Sequence, residues 1–125
     1  MSKGQVGLAA ERVAAAFLEL RGYRILDANY RHRGREIDLV ACVGDRIVFV
    51  EVKCRTGSSF GSPGESVGRD KRRRIVLAAQ GYLAQRGLEN RSCRFDVVEV
   101  RVRRGGLSVV VDHVPGAFGS GGGRW

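Results

Sequence analysis

No stretch of this 125-residue chain offers the roughly 18 consecutive apolar residues that a membrane-crossing helix requires. The first twenty residues also lack a continuous apolar core, because Glu11 and Arg12 interrupt them, so no secretory leader is expected. Cysteine is scarce: Cys42, Cys54 and Cys93 are odd in number and far apart, with no CxxC or CxxH spacing. That pattern argues against a disulfide framework and a zinc site, and suits reduced, mostly buried thiols of a cytoplasmic protein. Acids are in short supply too, with 13 Asp and Glu against 22 Lys and Arg, a net charge of +9. Such an excess on a small domain favours a polyanionic partner. Nucleic acid is preferred to a membrane surface, since no helix pairs its cations with a Trp, Phe or Leu face. No internal repeat is visible, and an apolar content of 43% is enough for one core at this length.

What is present divides into helix-like and strand-like segments. Residues 6–21 carry Val6, Ala10, Val13, Phe17 and Leu20 at helical spacing, and Gly22 is placed to end that helix. YRILDANYR, EIDLVACV and RIVFVEVKC read as three strands, the first two separated by the basic turn RHRGR and the last two joined at Gly44-Asp45. A Gly/Ser-rich loop, TGSSFGSPGESVG, precedes a second helix over about Asp70–Arg86, with Ile75, Ala78, Ala79 and Tyr82 inward and Gly87 at its end. CRFDVVEVRV and LSVVVDHV supply two more strands around the basic turn RRGG. The expected fold class is α/β: a single domain over residues 1–118, with a mixed central β-sheet flanked by helices in the order αβββαββ. A flexible Gly-rich tail is expected over 119–125.

Asp38, Glu51 and Lys53 interrupt strands otherwise suited to burial. With Gly44-Asp45 as a two-residue hairpin loop, Val43 lies opposite Arg46, and the same register sets Asp38 opposite Glu51. Alternation then puts Glu36, Asp38, Glu51 and Lys53 on one face with Val40, Ile47 and Phe49, so the acids stand on a partly covered surface. Directly opposed side chains lie about 4.5–5.5 Å apart at Cβ, where like charges repel. Such a pair can share a proton, receive a cationic side chain, or bind a divalent metal. Mg²⁺ suits it, since that ion takes only one or two protein carboxylates and keeps several waters. Glu11 heads a second apolar stripe of Ala14, Ala15 and Leu18, which fits either an inward-looking acid or a first-turn carboxylate at the positive helix end. The second helix opens on DKRRR, where the helix dipole disfavours cations unless a phosphate joins them. Lys71 falls on the inward stripe, four residues before Ile75, while Arg72 and Arg73 are expected in solvent. His32 and His113 read as surface or structural rather than catalytic, and Tyr23, Tyr30 and Tyr82 as core or rim residues ahead of a base-stacking role.

Taken jointly, Gly7, ERVA at 11–14, GYRIL, GREIDLV, VFVEVKCR, Phe60-Gly61, Lys71, RFDVV at 94–98 and His113/Ala117/Phe118 resemble the YraN-like family, an uncharacterised family of small bacterial proteins. The resemblance runs from about residue 4 to 118. It implies a restriction-endonuclease-like fold with a PD-(D/E)xK core, similar to Holliday junction resolvases. On that pattern Asp38 is the motif's Asp, Glu51-Val52-Lys53 its Glu-x-Lys, Glu11 the first-helix Glu and Lys71 the basic residue of the following helix. Ile37 stands where the motif has Pro, and no departure removes a ligand. The implied activity is a Mg²⁺-dependent endonuclease, with Mn²⁺ as a substitute metal. It would hydrolyse phosphodiester bonds in nucleic acid, with DNA favoured over RNA and branched or damaged DNA as candidate substrates. Asp38 and Glu51 would hold the metal, Lys53 would orient or deprotonate the attacking water, and Glu11 would complete the shell. Lys71, Arg55 and the turn residues Arg31, Arg33 and Arg35 would guide backbone phosphates. Symmetric cutting of two strands would call for a homodimer. Two other classes stay open: a non-catalytic nucleic-acid-binding module of the same fold, and a basic domain that meets an acidic partner protein.

Overall fold

The computed structural model describes residues 3–56, 68–103 and 108–118; most of the Gly/Ser-rich loop and of the RRGG turn, and the whole Gly-rich tail, lie outside the described residues. The elements are α1 (Lys3–Leu20), β1 (Arg24–His32), β2 (Arg35–Val43), β3 (Arg46–Thr56), α2 (Arg69–Arg86), β4 (Cys93–Val102) and β5 (Val109–Phe118). The five strands form one sheet in sequence order, antiparallel throughout except for the parallel pair β3–β4. A parallel pair needs a crossover, and α2 supplies it. The result is an α/β domain of order αβββαββ, the architecture of the restriction-endonuclease-like fold. No helix among the described residues is long and apolar enough to cross a membrane.

Alternation sorts the apolar side chains onto two faces. Ile47, Phe49, Phe95 and Val97 pack with Ile75, Ala78, Ala79 and Tyr82 of α2, whereas Val48, Val50, Val98 and Val100 pack with Ala10, Ala14 and Leu18 of α1. Phe49 meets Tyr82 edge-on at 5.8 Å and stacks on Phe95 at 5.4 Å, pairings worth roughly 0.5–1.5 kcal/mol each beyond their buried area. For α1 the expected stripe is corrected in part: Ala10 is buried as expected, but Val13 is 37% exposed and Leu20 89% exposed, and the helix docks on Ala10 together with Ala14 and Leu18 of the second stripe. Both stripes are apolar, and the small alanines let the helix backbone approach the sheet closely. The cysteines are also corrected, being free but half-buried rather than mostly buried. Burial pushes the Cys54 and Cys93 thiols up, away from reactive thiolate. β5 runs past the expected stop at Pro115-Gly116. A bulge absorbs these residues, with Val97 opposite Val114, Phe95 opposite Phe118 and Gly116 at φ +61°. Proline is tolerated because β5 is an edge strand.

At Gly81 the backbone of α2 lies close against a β1 side chain. A Cβ there would lie 2.6 Å from Cδ2 of His32, whose ring stacks on Tyr30. Inside a helix alanine normally exceeds glycine by about 1 kcal/mol. Gly81→Ala is therefore expected to bring no stabilisation by itself, and to gain that ~1 kcal/mol only in a His32→Ala background. Thermal melts of both single variants and the double variant check this; additive effects would show that the ring moves aside freely.

Candidate active site

The β2–β3 hairpin closes in the register the sequence predicts, with Val43 opposite Arg46, Val40 opposite Phe49 and Leu39 opposite Val50. One step further Asp38 stands across from Glu51, and there side-chain bonding replaces the ladder. Asp38 Oδ2 accepts the Val52 N–H at 2.8 Å, and the Asp38 and Glu51 carboxyl groups hydrogen-bond each other. Glu51 is only 4% exposed. Burial, helped by the adjoining Glu51, pushes the Asp38 pKa up to about 9. In the metal-free protein the pair thus keeps a proton between its acids near neutral pH.

Two ammonium groups answer the charge that remains. Lys71 Nζ, from the first turn of α2, lies 2.5 Å from Glu51 Oε2, and Lys53 Nζ lies 3.9 Å from the same oxygen. Burial and the contact with Lys71 draw the Lys53 pKa down. Burial pulls on Lys71 in the same sense, but the hydrogen bond and charge of Glu51 outweigh it and its pKa rises. One lysine is held charged while its neighbour is pressed towards the neutral form, an asymmetry common at catalytic sites.

Glu11 joins from α1. Burial raises its pKa, a hydrogen bond from Asn29 opposes this, and the charges of Glu36 and Glu51 add to the rise. Its Oε1 is buried with no hydrogen-bond partner among the described residues. Such an orphan acceptor costs roughly 1–3 kcal/mol and suits a site meant for a cation or its water. Asn29, which the sequence reading passed over, holds a left-handed φ of 53°. An Asn amid strand-forming residues was the available signal, since Asn tolerates that conformation.

Glu36 departs from the expected face. Ile37 and Val40 both pack on the α2 side while Leu39 packs on the α1 side, so alternation slips at Asp38. Glu36 turns towards the α1 side, where it acts on Glu11 and pairs with the largely exposed Arg31 at 3.6 Å. Arg33 and Arg35 lie beyond, at the β1–β2 turn. With Arg73 and Arg74 of α2 they line a groove of about 440 Å³. Arg72, expected in solvent, is half-buried with its guanidinium 5.8 Å from the Phe118 ring centre.

Arg55 is anchored rather than extended. Its Nε lies 3.2 Å from Oε2 of Glu99, a fully buried acid whose Oε1 also receives Arg101 Nε at 2.6 Å. Glu99 is the ladder neighbour of Lys53, so this buried group borders the site. The other buried acid of β4, Asp96, faces α1. It accepts two hydrogen bonds from Arg94 at 2.8 Å, pairs with His113 Nε2 at 2.7 Å, and accepts the Gly116 N–H at 2.9 Å. Arg94 also donates to the Tyr23 hydroxyl at 2.7 Å. Burial alone would raise the Asp96 pKa, but these bonds outweigh it and hold the carboxyl below its ordinary range. This stabilisation is present above the unfolded pKa near 4 and is lost as pH falls through the lower folded value. Asp96→Asn should therefore destabilise by about 2–4 kcal/mol at pH 7, with a gap that narrows below about pH 4. Urea melts across pH check it, and a gap that stayed constant to pH 2 would contradict it.

Among the described residues, no three His, Cys, Asp or Glu side chains form a cluster able to hold a metal ion by themselves. Protein groups here can fill only part of a coordination shell, which matches the one or two carboxylates that Mg²⁺ ordinarily takes. The two joined acids, with oxygen donors only, fit such an ion as partial ligands, and the orphaned Glu11 oxygen suits a water of its shell.

Fold and site together define a restriction-endonuclease-like α/β domain, with a carboxylate–lysine cluster where β2 parts from β3. The chain belongs to the Uncharacterised protein family UPF0102, whose pattern matches residues 10–100. It is 50% identical over 116 residues to a UPF0102 protein of Moorella thermoacetica, covering 93% of this chain and 94% of that one. Identity to UPF0102 protein STH1475 of Symbiobacterium thermophilum is 53% over 96 residues, covering 77% and 81% respectively. A UPF0102 protein of Myxococcus xanthus is 44% identical over 117 residues, covering 94% and 91%.

Proposed function

We propose that this protein is a Mg²⁺-dependent endonuclease that hydrolyses phosphodiester bonds in nucleic acid, with DNA as the favoured substrate. One observation carries the proposal: the Asp38 and Glu51 carboxyls are joined in a buried pair with Lys53 and Lys71 beside them, on a domain of net charge +9. Asp38 and Glu51 would hold the metal, with Glu11 completing its shell directly or through water. A Mg²⁺ or Mn²⁺ ion bound there would polarise a phosphoryl oxygen and lower the pKa of attached water. Lys53, its pKa already drawn down, would orient the attacking water, take its proton, and stabilise negative charge developing on the phosphoryl group. Lys71 would hold a substrate phosphate beside the acids, and the cations of the β1–β2 turn would steer the strand towards them. Symmetric cutting of a duplex would require two such sites, and hence a homodimer.

The Lys71–Glu51 contact also supports a non-catalytic alternative, because an ammonium already neutralises the buried acid without a metal. The deciding experiment incubates the wild type, Asp38→Ala and Glu51→Ala with labelled linear and branched DNA and RNA in EDTA, Mg²⁺ or Mn²⁺. Cleavage is expected in either metal and should be lost in both variants. Absence of cutting by the wild type, with nucleic-acid binding indifferent to divalent ions, would establish the binding module instead. Cleavage that survives both substitutions would come from a contaminant.

A further inference from the structure

The β1–β2 turn is built from Arg33 and Gly34, both at positive φ, 53° and 78°. Two positive values in a two-residue loop are the signature of a type I′ turn, which matches strand twist and favours Asn-Gly. Arginine in the first of those places is strained, because its Cβ crowds the carbonyl that follows. Strain kept where a better residue is available points to a use for the side chain. The use is visible in the groove described above, where Arg33 and Arg35 from the turn meet Arg73 and Arg74 from α2. Asp70 and the 39%-exposed Leu77 complete its lining. Among the described residues none of these four guanidiniums takes part in an ion pair, whereas Arg31, Arg55, Arg86, Arg94 and Arg101 all do.

Four guanidiniums outnumber the single carboxylate of Asp70 around this groove, so its lining carries an excess of positive charge that favours an incoming anion. At about 440 Å³ the groove has room for a short stretch of one strand's backbone. Leu77 adds a second selection. A duplex shows sugars and phosphates with its base faces stacked away, so only an unpaired strand can lay a base face on Leu77, between guanidiniums able to stack on it. The groove runs towards the acids at the start of α2, where Lys71, next to Asp70 of the lining, contacts Glu51. We infer that this groove holds the phosphodiester backbone of an unpaired nucleic-acid strand flanking the phosphate to be cut, so that the preferred substrate carries a single-stranded segment at the cleavage point. The inference rests on the nuclease function proposed above.

Arg33→Asn tests it, because stability and binding should move in opposite directions. Asn-Gly relieves the turn, so the melting temperature should rise by about 2–4 °C. Fluorescence anisotropy in EDTA, with no cutting, follows binding of a fully paired DNA duplex, a single-stranded DNA and a forked DNA of matching sequence. Affinity of Arg33→Asn for the forked and single-stranded probes should fall about 5–10-fold, with a smaller loss for the duplex. The log–log salt slope on single-stranded DNA should drop by about 0.7 for the contact removed. Arg73→Ala, on the facing helix, should repeat the affinity pattern without the gain in melting temperature. Unchanged affinity in both variants would overturn the groove while leaving the nuclease proposal intact. An equal loss on all three probes would overturn the preference for unpaired strands, and failure of the wild type to bind any probe would overturn both proposals.

Discussion

In EDTA at pH 8, Asp38→Asn is expected to melt about 6–10 °C above the wild type, and to have lost any response to added Mg²⁺. The stabilisation comes from removing a charge the fold does not want. Asp38 is pushed up to about 9 by burial and by Glu51, so the folded chain binds this proton more tightly than the unfolded chain does. Its contribution to stability is therefore fully present below the unfolded pKa near 4 and is lost progressively as pH rises towards the folded value. Each unit of displacement corresponds to about 1.4 kcal/mol, and the neighbouring ammonium groups offset part of it, leaving a deficit of the order of 2 kcal/mol at pH 8. Asparagine reproduces the protonated form. Its carbonyl can accept the Val52 N–H, which Asp38 now takes at 2.8 Å, while its amide donates to Glu51. The gap between variant and wild type should close as pH falls towards 4. Saturating Mg²⁺ should raise the wild type alone, because only the wild type retains both carboxylates. A variant less stable than the wild type at pH 8 would mean that the two acids are not in conflict, and the site would lose its rationale.

The convergence behind that prediction was legible in the sequence because it depends on short-range rules. Gly44-Asp45 fixes the loop, the loop fixes the register, and the register carries Asp38 to Glu51. The orientation of Glu36 was not legible. Asp38 is where β2 stops pairing with β3 while still pairing with β1, through Tyr30 and Ile37, and the resulting slip in alternation comes from the tertiary fold. The docking face of α1 was ambiguous for another reason: both of its stripes are apolar, and only the sheet beneath selects Ala10, Ala14 and Leu18. Asp96 and Glu99 were hidden by β4 itself. In RFDVVEVRV the two acids lie three residues apart and so face opposite sides of the strand, and every residue from Phe95 to Val100 is buried. Glu99 is reached by Arg55 from β3 and by Arg101, and Asp96 by His113 and Gly116 from β5 as well as by Arg94. Arg94 and Arg101 stand only two residues from their acids, a same-face spacing visible in the sequence, but the contacts from Arg55, His113 and Gly116 join distant segments and leave no local pattern.

Lys53→Met should lower the rate of phosphodiester cleavage by about 10²–10⁴-fold while changing substrate affinity by no more than about threefold. The corresponding Lys71→Met should weaken binding more than it slows the bound reaction. The contrast follows from where the two ammonium groups sit. Lys53 is 21% exposed, stands 3.9 Å from Glu51 and borders buried Glu99 in the parallel ladder, so the sheet holds its position. A preorganised cation screened from water stabilises charge that develops in the transition state and adds little to ground-state binding. Lys71 is 47% exposed at the open end of α2, next to Asp70 of the groove, where an incoming phosphate can draw it from Glu51. Methionine keeps most of the apolar stem in each case, so a packing loss should be small and common to both variants. Single-turnover rates at saturating enzyme, together with dissociation constants measured in EDTA, separate the two effects. If Lys53→Met cleaves within threefold of the wild type, Lys53 is a counter-ion for the acids and has no part in the chemistry; if the two variants lose affinity equally, the division of labour between the lysines fails.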